Sequence, residues 1–138
     1  MKFLITMLIA SLFFVTGKLA AQNKTITATV VNVTSDEGKV SFALYSKDNF
    51  MKKPIKASKS IIKDGKSVVV FKEIPQGDYA IICFHDKNEN DKMDFQPNGM
   101  PMEDYGVSTN NINPYGPPVF NDTKFMITDK DVSLEIKF

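Results

Sequence analysis

The sequence contains no arginine, because all 17 basic residues are lysines. The planar guanidinium of arginine is the side chain best suited to bidentate recognition of phosphate and guanine. Its absence argues against a nucleic acid as partner. Histidine occurs only once, which excludes a zinc site built from several histidines.

Cysteine is almost absent as well, since Cys83 is the only one and no disulfide can form within the chain. Its neighbours Ile81, Ile82 and Phe84 are apolar, so we expect a buried thiol. Cys83 and His85 share one face of a predicted strand, which would allow a thiol–imidazole dyad. The lack of a second histidine favours a structural His85 that hydrogen-bonds beside the following loop.

The longest apolar run, residues 3–16, has no charge and follows Lys2. Small residues close this segment, as in a secretory signal peptide, and the run is too short for a stable transmembrane span. We therefore predict a signal peptide at 1–21, export to the periplasm or the extracellular space, and no membrane span in the mature chain. The alternative is an uncleaved N-terminal anchor. Residues 22–138 suffice for a single domain.

Charge is unevenly distributed along this predicted mature chain. Residues 86–122 contain seven acidic residues and only two lysines, whereas the rest of the mature chain has an excess of lysine. An acidic segment on a basic body favours a cation as its ligand.

Alternation of apolar and polar residues predicts an all-β protein. The expected architecture is a seven-stranded β-sandwich of immunoglobulin-like or prealbumin-like type with one long ordered loop. Lysines crowd one of these segments, where they form either a basic binding patch or an edge strand protected from aggregation. The predicted strands are residues 23–33, 39–46, 58–62, 67–74, 79–86, 122–128 and 132–138.

The strand at 79–86 is apolar on both faces, so both faces need cover. Residues 87–121, which contain five of the seven prolines and three of the seven glycines, form the long loop. A loop of this length is usually functional or disordered, and its aromatic residues and methionines favour order. We expect it to cover one face of the strand with Phe95, Met100, Met102, Tyr105, Val107, Ile112 and Tyr115.

The start of this loop resembles a calcium-binding loop of the EF-hand kind. Oxygen-bearing side chains recur at positions 1, 3, 5 and 9, and position 7 would supply a main-chain carbonyl. The predicted ligands are Asp86, Asn88, Asn90, Lys92 through its carbonyl, and Asp94.

Position 12, where an EF-hand has a bidentate glutamate, is Pro97. A further carboxylate would have to come from Glu103 or Asp104, and the candidate cofactor is Ca²⁺. The alternative is that the Asp and Asn residues form Asx-turns in a solvated loop.

The chain contains a set of motifs, namely Ile74-Pro75-x-Gly77-x-Tyr79-Ala80, His85-Asp86-x-Asn88-x-Asn90, Asp94, Gly99-x-Pro101-x-Glu103-x-Tyr105-Gly106-x-Ser108-x-Asn110 and Gly116-Pro117-Pro118-x-Phe120. Together these motifs resemble one bacterial family, called domain of unknown function 2141, and the resemblance covers nearly the whole mature chain. The resemblance implies an exported β-sandwich and no known reaction. In that family, Asn-Gly usually stands where this chain has Asn90-Asp91.

Two classes of function agree with these features. The first is a noncatalytic exported module whose calcium-binding loop shapes a surface for an envelope component, a glycan or a peptide. Tyrosine and asparagine side chains would suit a sugar, namely Tyr105, Tyr115, Asn110, Asn111 and Asn113. The second is a metal-dependent hydrolase that uses the acidic loop around Asp86, Glu103 and Asp104. No catalytic residue is assigned.

Overall fold

Eight β-strands and one short helix make up the computed structural model, which describes residues 22–138. The predicted signal peptide, residues 1–21, lies outside the described residues. In chain order the elements are β1 (Lys24–Val30), β2 (Lys39–Tyr45), β3 (Lys56–Ile61), β4 (Ser67–Ile74), β5 (Gly77–Asp86), β6 (Tyr105–Val107), α1 (Phe120–Thr123), β7 (Phe125–Ile127) and β8 (Val132–Ile136).

The strands form two sheets. The first sheet has the order β4-β1-β8, in which β1 is antiparallel to β4 and parallel to β8. The second has the order β3-β2-β5-β6, and β7 pairs with the beginning of β5. The predicted all-β, two-sheet sandwich is therefore confirmed. The lysine-rich strand β3 lies at an edge, in agreement with the interpretation that its lysines protect an edge strand from aggregation.

The core lies between the inner faces of the two sheets. Alternate residues of each long strand are buried, because successive side chains on a strand point to opposite faces. From β5 the core receives Ile81 and Cys83, both with no exposed surface. The largest core side chains from the other strands are Phe42, Ile26, Leu44, Ile74, Ile127 and Ile136.

The structure differs from the sequence-based prediction in two elements. An eighth strand, β6, lies inside the predicted loop and pairs with Ile82–Phe84 of β5. Asp122 and Thr123 belong to α1 rather than to a strand. The pairing brings Gly106 so close to the end of β8 that a Cβ there would lie 2.6 Å from Ile136 Cγ2. Only glycine fits this approach.

The prediction that residues 87–121 cover the outer face of β5 is correct only in part. Val107 is buried against the strand, but four of the predicted covering side chains lie mostly in solvent, namely Phe95, Met100, Met102 and Tyr115. Ile82 and Phe84 consequently stay half-buried. The segment forms walls beside the sheet rather than a lid, and it leaves an open groove.

Within residues 22–138, no helix has both the length and the apolar character that a membrane crossing requires.

Candidate functional site

The acidic loop begins at Asp86, the last residue of β5, whose side chain is buried. Its Oδ1 accepts a hydrogen bond from the Asn90 amide nitrogen at 3.1 Å, and its Oδ2 accepts one from the Asp91 amide nitrogen at 2.9 Å. These two bonds fold the chain back on itself. The buried Asp86 carboxylate therefore links the first residue of the loop to residues 90 and 91.

Asp94 lies on the exposed side of the same loop. Its Oδ2 accepts a hydrogen bond from Asn88 Nδ2 at 2.8 Å, and Asn90 Nδ2 lies 2.8 and 2.9 Å from its two oxygens. The amides of Asn88 and Asn90 hold the pKa of this carboxyl below its usual value, because their N–H groups favour the ionised form. The side chains of three predicted ligands, Asn88, Asn90 and Asp94, are thus brought together.

Glu103 and Asp104 have different positions relative to this loop. Glu103 Oε2 accepts a hydrogen bond from the Asp94 amide nitrogen at 3.2 Å. Burial raises the pKa of Glu103, and the negative charges of Asp94 and Asp86 raise it further. The carboxylate of Asp104 instead lies 3.5 Å from the hydroxyl of Thr34, in the β1–β2 connection.

The loop as it stands is held by Asx-type hydrogen bonds, from the Asn90 amide nitrogen to Asn88 Oδ1 at 3.3 Å and from the Lys92 amide nitrogen to Asn90 Oδ1 at 3.2 Å. Within residues 22–138, no three His, Cys, Asp or Glu side chains form a group that could hold a metal. A cation would have to use amide oxygens. Rotation of the Asn88 and Asn90 amides by 180° would turn oxygen instead of nitrogen toward Asp94.

The turn between β1 and β2 supports the base of the loop. The buried His85 ring contacts it through Nε2, which donates a hydrogen bond to the Glu37 carbonyl oxygen at 2.6 Å. A Cβ on Gly38 would lie 2.3 Å from the carbonyl oxygen of Asp86, and Gly38 has φ +72°. His85 is therefore a structural, hydrogen-bonded residue as predicted, but its ring binds the β1–β2 turn rather than the loop.

The thiol of Cys83 is buried, as predicted, and lies 3.7 Å from the Gly106 carbonyl oxygen. Burial raises the pKa of this thiol strongly. A neutral thiol is a poor nucleophile, and the His85 Nε2 is directed to Glu37. The geometry does not form a thiol–imidazole dyad.

Two residues of the loop have left-handed backbone conformations, Glu89 with φ +55° and Asp91 with φ +66°. Asp91 stands at the position where the resembled family usually has glycine. Aspartate tolerates this conformation better than most residues. The turn geometry expected from the family pattern is therefore retained without the glycine.

The groove lies between the outer face of the β3-β2-β5-β6 sheet and the segment 87–121, and its volume is about 1190 Å³. The middle of its floor is formed by small residues, Ala57 and Ala43, which are cross-strand neighbours. Ile82 continues this row on β5. The small side chains leave the space, and apolar side chains from segment 87–121, including Met93, Phe95, Met100, Ile112 and Pro117, form the walls.

A second row crosses the floor nearer to the acidic loop. It runs from Lys59 on β3 through Ser41 on β2 to Phe84 on β5 and Tyr105 on β6. Lys59 forms an ion pair with Asp91 of the acidic loop, and both residues line the groove. The loop and the groove therefore share a wall.

Ser41 is a polar residue in the middle of this second row. Within residues 22–138, its Oγ is the one buried side-chain oxygen or nitrogen without a hydrogen-bond partner. Buried hydroxyl groups are normally hydrogen-bonded, because burial without a partner costs free energy. The Ser41 side chain lines the groove, so rotation about χ1 would present this hydroxyl to a ligand.

Four residues of the groove were not predicted from the sequence, namely Ser41, Ala43, Ala57 and Lys59. One signal was present, since the outward positions of β2 and β3 carry small residues beside the outward Ile82 and Phe84 of β5. Of the five residues predicted to bind sugars, Tyr105, Asn113 and Tyr115 line the groove. Two of the five have side-chain amides that bind the main chain. The Asn110 amide binds the main chain of residues 135 and 137, and the Asn113 amide binds that of residues 115 and 117.

Fold and site together define a β-sandwich with a ligand-sized groove on one outer face, beside an acidic loop. The chain belongs to the DUF2141 family, described as an uncharacterized protein conserved in bacteria, whose model matches residues 28–135. No curated protein matches the sequence.

Two solved structures of a pilus-presented adhesin, Spy0125 (Cpa), are similar to this chain. One, a cysteine mutant, has 13% identity and a TM-score of 0.27 and the other has 10% identity and a TM-score of 0.28. The matches cover 83% and 86% of this chain, which spans only 26% and 27% of those chains. Similarity at this level carries no argument about function.

Proposed function

We propose that the protein is a noncatalytic, exported ligand-binding module, in which the groove holds the ligand and a calcium ion orders the loop beside it. The groove carries this proposal. Its volume of about 1190 Å³ slightly exceeds the usual range for small-molecule sites. Its lining is mostly apolar with few polar groups, which is the composition of such sites.

Exposure of the groove's apolar side chains supports the same conclusion. Met100 is 58% exposed and Phe95 is 59% exposed, although both line the groove. Contiguous exposed apolar surface is unfavourable in water unless a partner covers it. A ligand in the groove would bury these side chains and stabilise the folded protein by mass action.

The acidic loop is the proposed calcium-binding site. With the amides of Asn88 and Asn90 rotated, their oxygens, the Asp94 carboxylate and main-chain carbonyl oxygens would supply the hard ligands that Ca²⁺ prefers. The ion would fix the loop that carries Asp91 and Met93, which line the groove. By linkage, calcium would then raise the affinity for the ligand.

Binding of a neutral apolar dye, 1-N-phenylnaphthylamine, tests the groove. We expect its fluorescence to rise on binding, and Ala43→Leu to abolish the rise because the larger side chain fills the floor. Thr29→Leu, at a half-buried position on the outer face of the other sheet, is the matched control and should bind the dye normally. Equal binding by the two variants would remove the basis for the groove as the ligand site.

Limited proteolysis tests the ion. At a calcium affinity near ~10⁻⁴ M, as in extracellular modules, millimolar calcium adds about 1.4 kcal/mol. That is small for the domain but large for a loop of low local stability. We expect calcium to protect residues 87–121 from cleavage and Asp94→Ala to lose the protection, whereas Asp129→Ala keeps it. Equal cleavage with calcium and with chelator would contradict the ion site.

Export rests on the segment 1–21, which lies outside the described residues. Intact mass of the protein recovered outside the cytoplasm tests it, and retention of that segment would contradict cleavage. The metal-dependent hydrolase that the acidic loop also suggested is not proposed. Both oxygens of Asp86 bind main-chain N–H groups inside the loop, and Asp104 is directed to Thr34.

A further inference from the structure

We propose that the ligand of the groove is a free long-chain fatty acid, with its carboxylate at Ser41 and Lys59 and its acyl chain over Ala43 and Ala57. This inference deepens the proposed function and rests on the groove being the ligand site. The groove contains few polar groups, and the two that suit an anion, Ser41 and Lys59, lie next to each other.

Ser41 and Lys59 form a cross-strand pair on the groove face. Side chains opposite each other in an antiparallel pair have Cβ atoms about 5 Å apart, so one carboxylate can reach both. The Ser41 Oγ is buried and has no partner within the described part of the chain, and rotation about χ1 would turn it toward the groove, where it can donate a hydrogen bond. The ammonium group of Lys59 supplies the complementary charge.

Lys59 already binds the carboxylate of Asp91, at the end of the groove that adjoins the acidic loop. About half of each side chain is exposed, 45% for Lys59 and 61% for Asp91. Exposed ion pairs contribute little to stability, so a ligand carboxylate can replace Asp91 at small cost. The Asp91 carboxylate thus occupies the position that the carboxylate of the ligand would take.

The rest of the groove suits a chain without polar atoms. A peptide carries one main-chain donor and one acceptor at nearly every residue, and the groove floor is the face of a sheet, whose main-chain groups are paired within the sheet. Two of the polar side chains that line the groove are also in use, since Asn98 accepts a hydrogen bond from the Met100 amide and Asn113 binds residues 115 and 117. An acyl chain needs no such partners.

A sugar is disfavoured as the main occupant, because most of its hydroxyl groups would lose water without gaining partners. Methionine side chains line the groove at three positions, Met51, Met93 and Met100. Their unbranched, polarizable side chains adapt to flexible apolar ligands. The walls therefore match an acyl chain better than a rigid ring system.

The test compares binding of cis-parinaric acid, a fluorescent fatty acid, with binding of its methyl ester. Both have the same acyl chain, but only the acid has a charged headgroup. We expect the purified protein to bind the acid about tenfold more tightly, the effect of one charge-assisted hydrogen bond. Ser41→Ala and Lys59→Gln should each reduce this preference, whereas the matched controls Ser133→Ala and Lys72→Gln should retain it.

Asp91→Asn gives an independent readout. Asparagine tolerates the left-handed backbone, and the variant removes the carboxylate that competes for Lys59. We expect severalfold tighter binding of the acid and no change for the ester. A residue with a purely structural role would not increase affinity for the charged ligand alone.

The outcomes separate this inference from the proposed function. Binding of acid and ester with equal affinity, both abolished by Ala43→Leu, would overturn the carboxylate site and leave the groove intact. Equal binding of a lysophospholipid and the fatty acid would likewise overturn the choice of a free acid. Ala57→Leu, on the exposed edge strand β3, replaces Ala43→Leu if that variant does not fold. Binding of neither lipid would overturn both proposals.

Discussion

Strand β5 has two apolar faces with different surroundings. On the inner face, Ile81 and Cys83 are completely buried between the two sheets. On the outer face, Ile82 and Phe84 are half-buried and line the open groove. Apolar character alone therefore does not identify the core. Apolar side chains are packed between the sheets on the inner face of β5, whereas on its outer face they remain accessible to a ligand.

The strongest test of this comparison uses two neighbouring isoleucines. Ile81→Ala should lower the free energy of unfolding by about 2–5 kcal/mol, since it removes buried methyl groups and leaves a cavity. Ile82→Ala should lower it by about 1 kcal/mol or less, because part of that side chain is already exposed. Urea unfolding of both variants measures the difference. Similar losses of unfolding free energy would show that Ile82 is as fully packed as Ile81, so that the outer face would not be open.

Two glycines give a second comparison, one in the turn between β1 and β2 and the other within the segment 87–121. Gly38 and Gly99 both have positive φ, so alanine is strained at either position, at about 1–2 kcal/mol. A Cβ at Gly38 would also meet the main chain of Asp86 and Lys87, whereas at Gly99 it would meet nothing within 4 Å. We expect Gly38→Ala to be more destabilising than Gly99→Ala by about 1–3 kcal/mol.

Thermal or urea unfolding of the two glycine variants gives that difference directly. Gly38→Ala should in addition weaken calcium protection of the loop, because the turn at Gly38 contacts the residue from which the loop starts. If the two variants were equally stable, the turn between β1 and β2 would not support the loop.

The alternating strands were readable from the sequence because each of them has one buried face. The pairing order was not, since it depends on contacts between residues far apart in the chain, such as Ile26 with Val132. Strand β6 escaped prediction because three residues, Tyr105–Val107, are too few to show a period. It exists only because β5 offers it an edge.

The acidic loop was predicted more completely than the groove. Residues at alternate positions of a turn converge for local reasons, so the meeting of Asn88, Asn90 and Asp94 followed from spacing alone. The groove depends instead on the path of segment 87–121 over the sheet, which no local pattern specifies. Asp104 could not be assigned either, because its direction toward Thr34 is set by a contact between distant parts of the chain.

The smallest expected effect concerns the two carboxyl groups that differ in burial. The pKa of Asp94 should lie below its usual value, because the Asn88 and Asn90 amides bind its ionised form. The pKa of Glu103 should lie above its usual value, because of burial first and the charges of Asp94 and Asp86 second. NMR titration of the side-chain carboxyl carbons without calcium measures both.

The sign of the pH effect follows from these directions. Since the folded-state pKa of Asp94 is lowered, its stabilising contribution is present above the unfolded value near ~3.9 and is lost as pH falls through the folded value. Glu103 acts in the opposite sense, and its contribution is lost as pH rises through its raised pKa. Asn90→Ala should move the Asp94 pKa upward. A pKa of Asp94 at or above the usual value would contradict the hydrogen-bonded loop.

The pairing of β1 with β8 affects the order in which the protein can fold. β1 is the middle strand of its sheet, yet one of its two neighbours is the last strand in the sequence. Asn32 reinforces this connection by exchanging hydrogen bonds with the main chain of Phe138. During synthesis, β1 cannot form its hydrogen bonds with β8 until residues 132–136 have left the ribosome. Such long-range pairing slows folding, so the chain stays unfolded for longer and remains a substrate for chaperones that hold unfolded chains.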